Sequence, residues 1–160
     1  MSCPAEITVE ERRGEFLLST DRDLLDLDVI HGFLTESYWA KGISRELVAR
    51  SILNSLCFGV YKKAQQVGFA RAISDFATYA YVADVFVLES FRGLGLGKWM
   101  MECIMKHPQL QGLRRWTLAT RDAHPLYAQF GFTSLKKPEN FMELHNSNVY
   151  QEASSSGEVK

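Results

Sequence analysis

An apolar run from Tyr79 to Leu88 leads into Arg92-Gly93-Leu94-Gly95-Leu96-Gly97-Lys98, and an amphipathic helical pattern follows as far as Lys106. This succession of strand, glycine loop and helix constrains the chain more than any other stretch. Glycines at alternate positions let the backbone turn tightly and approach a ligand closely. A helix N-terminus carries unpaired N–H groups and a partial positive charge, which suits a phosphate or pyrophosphate. Arg92 and Lys98 add full positive charges at the two ends of the loop. The spacing then separates the candidates. A dinucleotide fingerprint needs G-x-G-x-x-G, and here the last glycine comes one residue early. A P-loop needs G-x-x-x-x-G-K-S/T, but Arg92 stands at the first glycine position and Trp99 at the metal-binding hydroxyl. What remains is Arg-x-x-Gly-x-Gly between a strand and a helix. The alternative reading of that pattern is a glycine-rich strand-to-helix turn without a ligand.

The length of 160 residues suits one domain. We expect it to span 1–145, followed by a polar, disordered tail over 146–160 that contains Ser154-Ser155-Ser156-Gly157. A net charge of -1 argues against broad binding to nucleic acid or membrane surfaces. Cys3, Cys57 and Cys103 show no metal spacing, and an odd count without a disulfide framework suits a reducing cytoplasm. No apolar core of a signal peptide opens the chain, and no apolar run reaches membrane-spanning length.

The periodicities predict a strand over Glu15 to Thr20, a helix from near Asp23 to Leu34, and a second helix from Arg45 capped by Ser44. A hairpin over Leu56–Lys62 and Val67–Ser74 and the apolar strand Tyr79–Leu88 follow. After the helix that ends at His107-Pro108 come a strand over Leu113–Thr120 and a short helix stopped by Gly131. Two final strands are expected at Phe132–Leu135 and Asn140–Leu144. The order β-α-α-β-β-β-α-β-α-β-β implies an α+β class: a mixed, mostly antiparallel sheet of about seven strands with helices on both faces.

Three pieces together resemble the GCN5-related N-acetyltransferase (GNAT) family. They are Val85-Phe86-Val87 leading to the glycine loop, Trp116-Thr117-Leu118-Ala119-Thr120, and Ala123-His124-Pro125-Leu126-Tyr127-Ala128-Gln129-Phe130-Gly131-Phe132, which is similar to the family's L-Y-x-x-x-G-F signature. The likeness runs from Phe16 to Leu144, and the element order matches that family's fold. It implies acetyl-CoA as cosubstrate, with the amides of Gly93, Leu94, Gly95, Leu96, Gly97 and Lys98 around its pyrophosphate and Arg92 among the cofactor-binding residues. The backbone of Val85, Phe86 and Val87 would pair with the pantetheine. It implies acetyl transfer to a primary amine, with Tyr127 as general acid. A tyrosine, protonated at neutral pH, can donate to a leaving thiolate.

Asp84, an acid inside the apolar strand, is a candidate for base chemistry or amine binding, or for a structural hydrogen bond. Glu36 and Glu89 are weaker candidates as base. His124 is read as shaping the first turn of its helix, and His31 as a core or boundary histidine. In the family, the segment between the first two helices walls the acceptor site. Tyr38 and Trp39 there could hold an amine by cation–π contact or could cap the core. The acceptor would be a small-molecule or peptide amine. The resemblance is compatible with a homodimer and implies no metal. A coenzyme-A-binding sensor or interaction module without catalysis is the alternative.

Overall fold

The computed structural model describes Ser2 and residues 5–151; Cys3 and residues 152–160 of the expected tail lie outside the described residues. The strands are β1 (Glu10–Arg13), β2 (Phe16–Ser19), β3 (Leu56–Lys62), β4 (Gln65–Ser74), β5 (Tyr79–Val87) and β6 (Arg115–Leu118). The helices are α1 (Leu27–Leu34), α2 (Arg45–Leu53), α3 (Leu96–Lys106) and α4 (His124–Ala128). The strands form one sheet in sequential order, antiparallel throughout except for β5 and β6. That last pair is parallel because α3 carries the chain back across the sheet between them. The class is therefore mixed α+β and mostly antiparallel, as the sequence implies.

Local chemistry sets the helix ends. Asp26 caps α1 by accepting from the N–H groups of Asp28 and Val29, and Ser44 caps α2 by accepting from Leu47 N–H. α1 begins later than its periodicity suggests, because Arg22–Leu24 form a separate 3-10 turn capped by Asp21. One face of the sheet carries α1 and α2, whose Ile30, Leu34, Val48 and Ile52 pack with Cys57, Phe69 and Phe86. The other carries α3, whose Leu96, Trp99, Met100, Met101, Cys103 and Ile104 pack with Phe58, Val60, Val67 and Ala70. Full burial of a large apolar side chain is worth about 1.5–3 kcal/mol, so these two clusters dominate the fold's cohesion. Burial pushes both the Cys57 and Cys103 thiols up to about 12, so neither is a reactive thiolate at neutral pH.

The strands depart from the sequence pattern at two places. β1 is a strand although its sequence, Glu-Glu-Arg-Arg, has no apolar alternation. It is an exposed edge strand, held by its ladder to β2 and by Glu11, which accepts from Trp99 Nε1 (2.9 Å) on α3. Conversely, Phe132–Leu135 and Asn140–Leu144 are not strands; a 3-10 turn over Pro138–Asn140 interrupts them. Asn140–Leu144 has no surface to bury against, Met142 and Leu144 being each 99% exposed, and in Phe132–Leu135 only Phe132 packs on the core. The sheet therefore has six strands. Near the end of the described chain, Tyr150 is half-buried and packs on the α1–α2 cluster.

At one point a glycine is required by close approach rather than by conformation. A Cβ on Gly59 in β3 would lie 2.2 Å from the Tyr61 hydroxyl and 2.6 Å from its Cζ. Tyr61 is itself buried, so its ring has little room to swing away. Gly59→Ala is expected to cost about 1–3 kcal/mol through overpacking, read as a lower urea midpoint. An unchanged midpoint would mean that the ring moves freely.

Candidate functional site

The site begins with an irregularity in β5. Phe86 pairs with Phe69 and Ala83 with Arg71, so Asp84 and Val85 together oppose the single residue Ala70. This is a β-bulge, and Asp84 occupies the left-handed region at φ 54°. Aspartate tolerates that conformation better than most residues because its short polar side chain can bond locally. A bulge bends its strand and increases the local twist. Consistent with this, pairing between β5 and β6 runs only from Tyr79↔Arg115 to Val82↔Leu118. Beyond Val82, β5 continues to Val87 with β4 alone beside it. Val85 and Val87 pack toward the α3 cluster and Phe86 toward the α1–α2 cluster, which leaves only backbone to face the opening.

The glycine loop lies just past this opening. Gly93 and Gly95 both have φ 78°, and Gly95 is the N-cap of α3 without a side-chain cap bond. The first α-helical bond here joins Trp99 N–H to Gly95 O (3.0 Å), so the N–H groups of Leu96, Gly97 and Lys98 precede the helical ladder. A Cβ on Gly93 or Gly95 would meet nothing within 4 Å, so the loop faces open space. These left-handed glycines and open amides fit a pyrophosphate group. Arg92 is turned back: its Nε donates to Val87 O (3.1 Å), tying the loop to the end of β5.

Tyr127 lies on α4, packed in the α3 cluster at 9% exposure and edge-on to Phe132. Burial, and then the neighbouring Tyr38 and Asp122, push its pKa above the ordinary tyrosine value, so the hydroxyl is protonated at neutral pH. Thr120 caps the turn before α4, accepting from Ala123 N–H (3.0 Å).

On the other face, Trp39 Nε1 donates to Asp84 Oδ1 (2.9 Å), and Arg71 Nε donates to Asp84 Oδ2 (2.5 Å). Both carboxylate oxygens are thus engaged. Arg71 also reaches Ser55 Oγ (3.0 Å). Phe33 stacks on Phe86 at 3.9 Å and supports Trp39 from below. Tyr38 meets Trp39 edge-on, and its hydroxyl accepts from Arg121 N–H (3.3 Å). The Arg121 guanidinium lies 3.8 Å from the centre of the Tyr38 ring. The structure therefore brings Tyr38, Trp39 and Asp84 together and sets Tyr38 within electrostatic reach of Tyr127. Glu36 and Glu89 are exposed surface residues. His31 bonds Ile43 O (3.0 Å) and joins α1 to the turn before α2, while His124 is the exposed first residue of α4. Sequence reasoning missed Arg71, Arg121 and Phe33. Arg71 did carry a signal, a lone charge between Ala70 and Ala72 in an apolar strand. Among the described residues, no group of three or more His, Cys, Asp or Glu is arranged to hold a metal ion.

With this geometry in hand, the likeness to known proteins is specific. The acetyltransferase (GNAT) domain profile matches residues 53–134, which include the bulge, the glycine loop and Tyr127. A GNAT-family protein of Xanthomonas campestris pv. campestris, xcc2953, is 50% identical with a TM-score of 0.84, covering 86% of this chain and 97% of its own. The acetyltransferase-like protein FG08082 of Gibberella zeae is 32% identical over 140 residues, 73% of this chain and 78% of that protein. A Clostridium acetobutylicum protein solved with acetyl-CoA shares the fold at 15% identity and a TM-score of 0.60, over 81% of this chain and 94% of its own. The chain belongs to the GNAT acetyltransferases.

The loop reading makes a direct prediction. An aspartate at Gly95 would compete for the amides of the first turn of α3 and add negative charge beside a pyrophosphate. Gly95→Asp is expected to weaken coenzyme A binding by roughly tenfold or more, the scale of one lost charge-assisted hydrogen bond. Calorimetry checks this; unchanged affinity would mean that the loop does not contact the cofactor.

Proposed function

We propose that the chain transfers an acetyl group from acetyl-CoA to a primary amine by direct attack in the opening between β5 and β6. The observation that carries this reading is the parting of those strands after Val82 and Leu118, with a protonated Tyr127 on one side and Tyr38 and Trp39 on the other. Acetyl-CoA supplies the acyl group as a thioester. The amides of Gly93 to Lys98 hold the diphosphate end, and the free backbone of Val85, Phe86 and Val87 aligns the pantetheine as an added strand would. A backbone N–H of that segment stabilises the developing oxyanion. The C–N bond forms as the C–S bond breaks. Tyr127 gives its proton to the leaving thiolate, and the proton lost by nitrogen passes to solvent.

Asp84, a candidate base from its sequence context, fits a positioning role better in this reading. Its oxygens already accept from Trp39 and Arg71, and it holds the acceptor wall against β5. The free, buried thiols of Cys57 and Cys103 support a reducing, cytoplasmic setting.

Tyr127→Phe is expected to lower kcat by roughly 10²–10⁴ while acetyl-CoA affinity stays within about twofold. Stopped-assay thiol release and calorimetry measure the two quantities. Equal turnover would remove Tyr127 from the chemistry. Coenzyme A binding without transfer to any amine by the unaltered protein would favour the sensor reading.

The homodimer is proposed on separate grounds. β6 is the edge of the sheet, and a groove of about 650 Å³ lined by Trp116, Phe130, Phe132 and Phe141 runs beside it. The adjacent Met142 and Leu144 are fully exposed. Two large apolar side chains in open water beside an unpaired strand edge suit a second copy pairing there. Light scattering should give twice the 18.2 kDa chain mass, and Met142→Glu with Leu144→Glu should give the single mass. A monomer in the unaltered protein contradicts the proposal.

A further inference from the structure

The acceptor wall carries a charge that the acetyl-transfer reading does not use. From the sequence, the face of Tyr38 was a candidate cation–π site for the substrate amine. In the structure that face is already covered by the protein's own Arg121, whose guanidinium stands 3.8 Å from the ring centre. The same residue's backbone N–H donates to the Tyr38 hydroxyl (3.3 Å). Arg121 is thus anchored to the α1–α2 loop twice, through its main chain and through its side chain. A guanidinium held over an aromatic face by its charge still has N–H donors to offer, in a planar fork that matches a carboxylate or phosphate.

Among the described residues, no acid forms an ion pair with Arg121. The ion pairs among the described residues join Arg13 to Glu11 and Glu102, Arg22 to Glu6, Arg45 to Asp28, Lys62 to Glu15 and Arg71 to Asp84, and none includes Arg121. Three acids lie on the surrounding elements. Asp84 is saturated by Trp39 and Arg71. Asp122, next in the chain, makes no described ion pair with Arg121. Glu36, two residues before Tyr38, is exposed and makes no ion pair there. Arg71 at this wall is neutralised by Asp84. Arg121 is held over the Tyr38 ring and has no described carboxylate partner.

Building on the acetyl-transfer reading, we propose that the acceptor is an amine that also bears an anionic oxygen group, and that Arg121 captures this group and so determines specificity. The ring of Tyr38 acts as the platform that holds the guanidinium flat and directs its edge into the acceptor space. Capture of the anion would fix the amine's approach and leave the nitrogen free to reach the thioester.

The test compares acceptors with one skeleton and different remote groups: an amino acid, its uncharged amide, the corresponding amine without the group, and a phosphate-bearing amine. Thiol release from acetyl-CoA is followed for the unaltered protein, Arg121→Gln and Arg121→Lys. The unaltered protein should prefer an anionic acceptor over its neutral counterpart by about tenfold or more in kcat/KM, chiefly through KM. Arg121→Gln should collapse that ratio toward one. Arg121→Lys should recover part of it, since charge is kept but the planar fork is lost. The carboxylate and phosphate arms identify which anion is taken. A ratio near one in the unaltered protein, or a ratio unchanged in Arg121→Gln at an unaltered melting temperature, would overturn the assignment of Arg121. Absence of thiol release from every amine would instead overturn the acetyl-transfer reading on which the proposal rests.

Discussion

Asp84 forces the strand that carries it into a left-handed step and absorbs an extra residue opposite Ala70. The rest of the site follows from that step. The added twist turns β5 away from β6, so parallel pairing stops at Val82 and Leu118 while β5 runs on to Val87. The backbone beyond the bulge is left with one ladder instead of two. The strain of the step is offset locally. Asp84 accepts from Trp39 and Arg71, and the ion pair is largely shielded, its side chains 11% and 16% exposed. Breaking such a shielded pair typically costs about 3–5 kcal/mol, so the bulge and its ion pair stand or fall together. The same carboxylate fixes Trp39, and through the edge-on contact Tyr38. A backbone irregularity in one strand therefore organises the Tyr38–Trp39 cluster on one face and the strand opening at its edge.

The second element is the entry to α3. Two left-handed glycines bring the chain round from β5, so the first turn of the helix points its amides outward instead of against a capping side chain. Six apolar side chains of α3 are buried in the core beneath, which makes the helix a rigid mount for that exposed turn. Anchoring and openness are thereby separated along the helix. Its body supplies cohesion, and its N-terminus supplies an anion-seeking surface.

Most of this was legible in the sequence where a local rule sufficed. The glycine spacing, the Ser44 cap, the apolar run of β5 and Tyr127 ahead of Gly131 all carry short-range signals, and they gave the fold class and the family resemblance. The features that were not legible depend on partners distant in the chain. β1 has no apolar alternation, because it is an edge strand whose decisive contact is Glu11 with Trp99. The two final segments have apolar residues at strand-like spacing, but apart from Phe132 these stay exposed. Arg71 and Asp84 are each an isolated charge in an apolar strand. Pairing them would have required the register of β4 with β5 and the bulge within it. Arg121 looked like an ordinary loop residue, and only its position over Tyr38 gives it a meaning.

The most direct test of the account asks which main-chain amides feel the cofactor. Titrating coenzyme A into isotopically labelled protein and following backbone amide shifts by NMR answers it residue by residue. The account predicts the largest changes at Gly93 to Lys98, with a second group at Val85 to Val87. Shifts that leave both segments untouched while coenzyme A binds elsewhere would contradict it.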